Sequence, residues 1–593
     1  MCGFAGEVRH GGRADLQTVE RMAAVLAPRG PDGDGSWSEG GVALAHRRLT
    51  IIDLSETGAQ PMVDDELGLV IVFNGCIYNY KELRAELEGH GYEFFSTSDT
   101  EVMLKAFHRW GPDFVTRLKG MFAFALVDRQ SQRVMLARDR LGIKPMYLAD
   151  FPGEMMRFAS TPQALLAGGG IDTRVDAEAL HHYMSWHAVV PAPKTILSGV
   201  QKLLPATYVM IDPDGTSVQT RYWWPEFSRD SARQGWEPNG WRVAIEAALR
   251  EAVERRMVAD VPVGVLLSGG LDSSLIVALL AEAGQRDLKT FSIGFEDVGG
   301  REGDEFQYSD IVAQHFGTDH QRIHISNDRM LPSLGNAIRA MSEPMTSHDV
   351  VAFYLLCEEV REQVKVVQTG QGADEVFAGY HWYETVAEAG GTGLFSYVDA
   401  VFDRSQEEME QAVSSDYLPH GDPSRQFVDL HFNRDGAEEA VDRALRMDIE
   451  VSLIEDPVKR LDNMSMAWGL EARVPFLDHD LLELAIASPP ELRLGQGGKG
   501  ILKDIGRRLL PADVVDRPKG YFPVPALSHV EGEYLDMLRE ALLSDAARDR
   551  SLFRPDYVRS HIDAPNEDLT PLDGNKLWQM GLLELWLQET LLH

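Results

Sequence analysis

Residues 261–284 read VPVGVLLSGGLDSSLIVALLAEAG. VPVGVLLSGG (261–270) is a buried, parallel-type strand running into a glycine turn, and SSLIVALLAEAG (273–284) is a helix behind it. A second strand follows in LKTFSIGFED (288–297), and KVVQTGQGADE (365–375) offers a third strand and turn. Strand, glycine turn, helix, strand predicts an open parallel α/β sheet whose ligands sit at the carboxyl ends of the strands. Gly269 and Gly270 let backbone N–H groups come close to an anion, and the helix N-terminus adds its dipole. Ser268, Ser273 and Ser274 add hydroxyl donors. The chain has no G-x-x-x-x-G-K-S/T stretch, and no G-x-G-x-x-G follows a strand, so neither a Walker loop nor a dinucleotide fingerprint is present.

Working outward, WRVAIEAALREAVERRM (241–257) is an amphipathic helix. Before it, PEFSRDSARQGWEPNG (225–240) has linker composition and marks the boundary between domains. The reading assigns 2–212 to a first domain, 213–240 to a linker and 241–593 to a second domain, with the acid-rich, glycine-broken 381–446 as an insertion. The first domain reads as β-rich with helical insertions. LGLVIVFNG (67–75) is a short strand ending in a turn, MFAFALVD (121–128) and RVMLARD (133–139) are two strands, and YKELRAELEGHGY (80–92) is a helix.

Composition sets the outer bounds. The 593 residues are about four domain-lengths at roughly 150 each, and 44% apolar content is ample for large cores. Fifty-seven Lys and Arg against 92 Asp and Glu give a net charge of −35. That surface repels phosphate backbones, so neither nucleic acid nor an anionic membrane is an expected partner. Three cysteines exclude a disulfide scaffold and suit a reducing compartment. No run approaches the length of a transmembrane helix, and MCGFAGEVRHGG lacks the apolar core of a secretory signal. A cytoplasmic location is the expectation.

Cys2 follows the initiator methionine and precedes Gly3. Once the methionine is removed, the cysteine carries a free amine that can take the thiol's proton and leave a thiolate nucleophile. Alone, such a cysteine reads as a small buried residue. Its company is PRGPD (28–32), AHRRL (45–49), FNGCIYN (73–79) and SDTE (98–101). In that order, over residues 2 to about 200, the set resembles the glutaminase domain of amidotransferases with an N-terminal cysteine. The resemblance implies an Ntn-hydrolase αββα sandwich. It also implies an oxyanion hole from the Asn74 side chain and the Gly75 N–H, with Arg48 for the α-carboxylate of glutamine and Asp99 for its α-ammonium. Alone, Arg48 and Asp99 would read as surface ion pairs. Cys76 and Cys357 read as apolar core.

SGGLDSS (268–274) resembles the pyrophosphate loop of ATP pyrophosphatases, which cleave ATP between the α- and β-phosphates to adenylate a carboxylate. This implies ATP contacts at Leu266, Ser268, Gly269, Gly270, Asp272, Ser273, Ser274, Ile293 and Gly370. It implies Mg²⁺ held by Asp272 and Asp374, and pyrophosphate gripped by Lys499, which would otherwise read as an exposed helix lysine. EARVPFLD (471–478) is a further family signature, near the junction of the lobes, with no step assigned. Both halves together resemble glutamine-dependent asparagine synthetase. An internal ammonia path between the lobes is a chemical expectation, because ammonia free in water at neutral pH is mostly protonated.

The acceptor region departs from that pattern. Gln371 stands where asparagine synthetases usually carry an acid, and EPMTSHD (343–349) differs from the stretch that grips aspartate. Gln371, Asp374, Glu375 and His348 are the candidate acceptor pocket, with a loop cap as the plainer role for His348. GCIYNY (75–80), LHHYMSWHAVVPAPKTI (180–196) and TGQGADEVFAGY (369–380) resemble the N-acetylglutaminylglutamine amidotransferases, which amidate a blocked dipeptide. The acceptor is then a blocked dipeptide or aspartate. A glutaminase-like regulatory protein with a silent synthetase lobe is the remaining alternative, and a homo-oligomer is left open.

Overall fold

The computed structural model describes residues 2–227, 233, 235–296, 306–347, 349–517 and 529–591. The first lobe is built on two six-stranded sheets. One runs in the order Gln201–Lys202, Tyr147–Phe151, Met155–Ala159, Gly3–Arg9, Val42–Arg48, Gly33–Glu39, with antiparallel neighbours throughout. The other runs Ser217–Arg221, Thr207–Ile211, Arg133–Arg138, Gly120–Asp128, Leu69–Ile77, Met62–Asp64, also antiparallel.

Alternation along the strands explains the layers, because successive side chains point to opposite faces. Val70, Val72, Ala123, Ala125, Val127, Val134 and Leu136 join Phe4, Val8 and Leu44 in the core between the sheets. The intervening Ile71, Phe73, Phe122, Phe124 and Leu126 turn outward against helices Tyr80–Gly89 and Asp99–Trp110. Ala5, Ala43 and Ala45 on the outer face of the first sheet pack on the helix Leu16–Val25. MFAFALVD is apolar at nearly every position because both of its faces are covered. The result is the helix–sheet–sheet–helix sandwich of an Ntn hydrolase.

LGLVIVFNG does not end in a turn at Gly75. The strand continues to Ile77, with Asn74 opposite Ala123 and Gly75 opposite Phe122. A Cβ on Gly75 would lie 2.1 Å from the Met121 carbonyl oxygen, so this glycine permits close backbone approach rather than a reversal.

The second lobe carries a five-stranded parallel sheet in the order Asp319–Ile325, Lys289–Phe295, Val263–Leu266, Val366–Gln368, Glu471–Arg473. The helix Leu271–Glu282 is buried at every position from Ser273 to Leu280, as expected of a helix that is apolar all round. Residues 381–446 carry five helices: Trp382–Glu388, Leu394–Val401, Gln406–Ala412, Pro423–Phe432 and Ala440–Met447. Their apolar faces, including Tyr383, Tyr397, Phe432 and Leu445, enter the large core of this lobe. No helix among the described residues is long and apolar enough to cross a membrane.

The lobes share packing and buried charge. Cys76, Tyr78, Met121, Leu141 and Trp186 of the first lobe belong to the core cluster of the second. Asp462 accepts from Arg29 Nη1 at 2.9 Å and from Lys144 Nζ at 3.2 Å. Lys202 Nζ reaches Glu343 at 2.9 Å and Glu455 at 2.6 Å, with Lys459 3.5 Å from each acid. Removing one member of a buried charge group strands the rest at a cost of about 3–5 kcal/mol. Asp462→Ala leaves Arg29 and Lys144 buried without their carboxylate. We expect a clear drop in the thermal unfolding midpoint, and an unchanged midpoint would show that the triad does not support lobe docking.

Candidate active sites

The first candidate site forms where four element ends meet. Cys2 precedes the strand Gly3–Arg9, whose pairing of Gly3 with Arg47 sets Arg48 beside it. The facing sheet contributes Asn74 and Gly75 from its strand Leu69–Ile77, and Asp99 opens the helix Asp99–Trp110, whose first turn is capped by Ser98. Cys2, Arg48, Gly75 and Asp99 line one cavity, together with Gln60 and Glu471.

Asn74 is fully buried, and its Oδ1 accepts from the Cys2 nitrogen at 3.0 Å. With the Cys2 nitrogen as donor, the amide presents its oxygen to it. The Asn74 Nδ2 is left buried with no hydrogen-bond partner among the described residues. Burial pushes the Cys2 thiol above its ordinary value, opposed by the Leu49 N–H and the Arg48 guanidinium. Arg48 is clamped by backbone carbonyls, donating to Ser55 at 2.9 Å and to Asp53. The Asp53 carboxylate closes that loop by accepting from the Ser55 and Thr97 N–H groups at 3.1 and 2.9 Å. Asp99 accepts from the Ile77 N–H at 3.0 Å, and burial pushes its carboxyl up to about 6.

Two lining residues had escaped the sequence reading. Gln60 carries no sequence signal. Glu471 lies in the EARVPFLD signature, but nothing local tells that it reaches the cavity of the other lobe. Cys76 also differs from expectation: it is buried, yet it lines this cavity and faces Arg473 Nη2 at 3.6 Å rather than apolar surroundings alone. Cys357 is fully buried.

The second candidate site is a larger cavity at the carboxyl ends of the parallel strands. Leu266, Ser268, Asp272, Ser273, Ile293, Gly370, Gln371 and Asp374 all line it. Gly269 and Gly270 lie in the same loop. Gly269 has φ +71°, and a Cβ there would meet the Ser309 nitrogen at 2.5 Å, so both conformation and space demand glycine. Ser268 Oγ and Ser273 Oγ are 3.1 Å apart, and the Gly270 N–H donates to Ser268 Oγ at 3.3 Å. Ser274 is buried, and its Oγ has no hydrogen-bond partner among the described residues.

Lys499 is not an exposed helix lysine. It is 8% exposed and sits at φ 56° at the start of the helix Gly500–Leu509. Its Nζ lies 2.7 Å from Asp272 Oδ2 and 2.9 Å from Asp374 Oδ2. Burial pulls its pKa down, but the two carboxylates outweigh that and hold it above the usual lysine range. Glu375, next along from Asp374, is 2% exposed and lines a neighbouring cavity instead. Burial and then Asp374 push Glu375 up to about 7. His348 lies outside the described residues. The sequence reading missed Arg460, which lines the nucleotide-sized cavity and donates to Asp349 at 2.9 Å. In sequence it reads as one more charged helix residue.

Residues 244–588 match the asparagine synthase family, and residues 1–223 match the glutamine amidotransferase domain. The chain is 30% identical over 623 residues to the glutamine-hydrolysing asparagine synthetase 1 of Bacillus subtilis strain 168, covering 99% of this chain and 96% of that one. It is 31% identical over 557 residues to asparagine synthetase 3 of the same organism, covering 90% and 88%. With asparagine synthetase B of Escherichia coli K12 it shares 29% over 562 residues, covering 90% and 84%. The chain therefore belongs to the glutamine-dependent asparagine synthetase family and is a carbon–nitrogen ligase that draws its nitrogen from glutamine.

Proposed function

We propose that the protein amidates the C-terminal carboxylate of a blocked dipeptide, N-acetylglutaminylglutamine, with glutamine as nitrogen donor and ATP as the activating substrate. The observation that carries this reading is Gln371, an amide in the wall of the nucleotide cavity beside Asp374. A pocket for aspartate must pair an α-ammonium and an α-carboxylate, and burying either unpaired costs several kcal/mol. A blocked dipeptide presents amides, and a glutamine side chain can both donate to and accept from them.

In the first lobe, the Cys2 thiolate attacks the side-chain amide carbon of glutamine, and the α-amine takes up the thiol proton. The carbonyl oxygen becomes an oxyanion. The buried, unpartnered Asn74 Nδ2 supports its place in the hole, with the Gly75 N–H as second donor. A buried donor without a partner costs about 1–3 kcal/mol, a cost relieved only when an acceptor arrives. The α-ammonium passes that proton to the departing nitrogen, ammonia leaves, and water releases glutamate from the thioester. Arg48, held by two carbonyls, points its fork at the α-carboxylate, and Asp99 takes the α-ammonium. In the second lobe, the acceptor carboxylate attacks the α-phosphorus of ATP, pyrophosphate leaves, and ammonia displaces AMP to give the amide. The loop 268–274 and Lys499 hold pyrophosphate.

Asp272 and Asp374 converge on one lysine nitrogen beside two serine hydroxyls, a hard-oxygen donor set that fits Mg²⁺. Bound there with pyrophosphate, the ion would neutralise charge building on the leaving group. The polar interior between the lobes, lined by Arg138, Tyr147, Lys202, Lys459 and Asp462, supports an ammonia path.

Cys2→Ala is expected to abolish glutamine-dependent amide formation and to leave most of the ammonium-dependent reaction, read as AMP release with each donor. Full turnover with glutamine would remove Cys2 from the mechanism. The Asp99 carboxyl titrates at about 6, and only its ionised form can pair with an ammonium. The KM for glutamine should therefore rise as pH falls through about 6, by up to about tenfold per unit below it. Asp99→Asn should give a high KM that no longer depends on pH in this range, and a wild-type profile in that variant would reassign the ammonium partner. For the acceptor, pyrophosphate release with Mg-ATP and glutamine should respond far more to N-acetylglutaminylglutamine than to aspartate. Discrimination by hydrogen-bonding groups reaches about 10⁴, and efficient asparagine formation with no response to the dipeptide would make the protein an asparagine synthetase in the narrow sense.

A further inference from the structure

A second cavity adjoins the nucleotide cavity. Pro457 lines both, and while Asp374 faces the first, Glu375 faces the second. Its wall combines Trp186, His187 and Val189 from the first lobe with Glu375, Tyr380, Trp382, Asp448 and Asp456 from the second. Trp186, His187 and Val189 fall in the stretch 180–196, and Glu375 and Tyr380 in 369–380. Both stretches carry the resemblance to the N-acetylglutaminylglutamine amidotransferases noted above. They are remote in the chain and come from different lobes, yet they close one cavity.

We propose that this second cavity is the subsite for the part of the acceptor beyond its reacting carboxylate, and that it takes an uncharged, amide-bearing chain. The inference rests on the reading that the acceptor is a blocked dipeptide. The walls specify the class. Tyr380 and Trp382 stack at 4.2 Å with 14° between their planes, a flat aromatic surface for planar amides. Three acids face the space, which excludes a second carboxylate. Two of them are already engaged: Asp448 accepts from the hydroxyls of Tyr383 and Tyr397, and Asp456 lies 3.5 Å from Arg460. Glu375 accepts from the Tyr380 hydroxyl at 2.9 Å through Oε1. Its Oε2 is buried with no hydrogen-bond partner among the described residues. One open acceptor atom matches one amide N–H, whereas an ammonium brings three hydrogens that all need partners. The one basic side chain among the described lining residues, His187, is engaged with Asp403 at 3.4 Å.

The experiment measures pyrophosphate release by the full-length protein with Mg-ATP and glutamine. The acceptors are N-acetylglutaminylglutamine, N-acetylglutamine, glutaminylglutamine with its free amine, and aspartate. Wild-type kcat/KM should be at least about tenfold higher for the blocked dipeptide than for N-acetylglutamine. Leu572→Trp narrows the cavity from a half-buried turn, and Trp382→Ala removes half of the aromatic stack. Each should bring that ratio close to one. A ratio is insensitive to partial loss of folded protein, because both acceptors are assayed on the same sample. If both variants keep the wild-type ratio, the chain of the acceptor lies elsewhere and this subsite is overturned, while the blocked-dipeptide function stands. A preference for the free-amine dipeptide would overturn the uncharged class. Turnover with aspartate and with neither blocked compound would instead remove the proposed function, and the subsite with it.

Discussion

The buried ion pair between Arg473 and Glu471, 2.5 Å apart and almost wholly shielded from solvent, sits on one strand of the second lobe, and its arginine also meets Cys76 Sγ of the first lobe at 3.6 Å. Glu471 lines the first-lobe cavity that also holds Cys2. Arg473 donates to the backbone carbonyls of Arg256 and Val258 at 2.7 and 2.8 Å, just before the strand that runs into the phosphate loop. Both residues sit on a strand paired with Val366–Gln368, which pairs in turn with Val263–Leu266. The strand that lines the cavity around Cys2 thus belongs to the sheet whose carboxyl ends form the second cavity. Burial alone would raise the Glu471 carboxyl, but Arg473 above all brings it down to about 2. The carboxylate is charged at any pH the protein meets and needs its arginine throughout.

A second charge device organises the cavity at the carboxyl ends of the parallel strands. Lys499 occupies the space between Asp272 on the glycine-serine loop and Asp374 on the next turn, so two loops that would repel are drawn together. The lysine follows Gly497 and Gly498, and all three have left-handed backbone. For a residue with a side chain, that conformation costs of order 1–3 kcal/mol. The surrounding contacts hold the strained residue because its side chain must enter from this side.

Legibility followed the range of the determining contacts. The loop 268–274 is recognisable because everything that shapes it, a strand before, a helix after and glycines between, is adjacent in sequence. The β-rich character of the first lobe was readable from its apolar strands, but its sandwich only from the resemblance carried by Cys2 and the motifs around Arg48, Asn74 and Asp99. Asn74 and Gly75 were read as a turn because glycine after asparagine usually marks one, whereas here the packing of Met121 and Phe122 decides. The burial of Lys499 could not be read, since its partners lie at 272 and 374. Nor could the entry of Glu471 into a cavity centred on Cys2. The helices between 382 and 447 looked like a loose insertion because their glycines and acids mask short apolar faces that acquire meaning only against the rest of the core.

The strand geometry at Asn74–Gly75 has a consequence for the working life of the protein. An asparagine followed by glycine is the dipeptide that ages most readily, since the glycine nitrogen can attack the side-chain amide and convert it to an acid. Here that conversion would replace an N–H donor with a carboxylate beside the nucleophile. Ring closure requires the backbone to leave the extended conformation. Pairing of Asn74 with Ala123 and of Gly75 with Phe122 inside a six-stranded sheet holds it extended. The Cys2 nitrogen restrains the amide from the other side. The sheet thereby protects its most perishable residue from slow chemical decay.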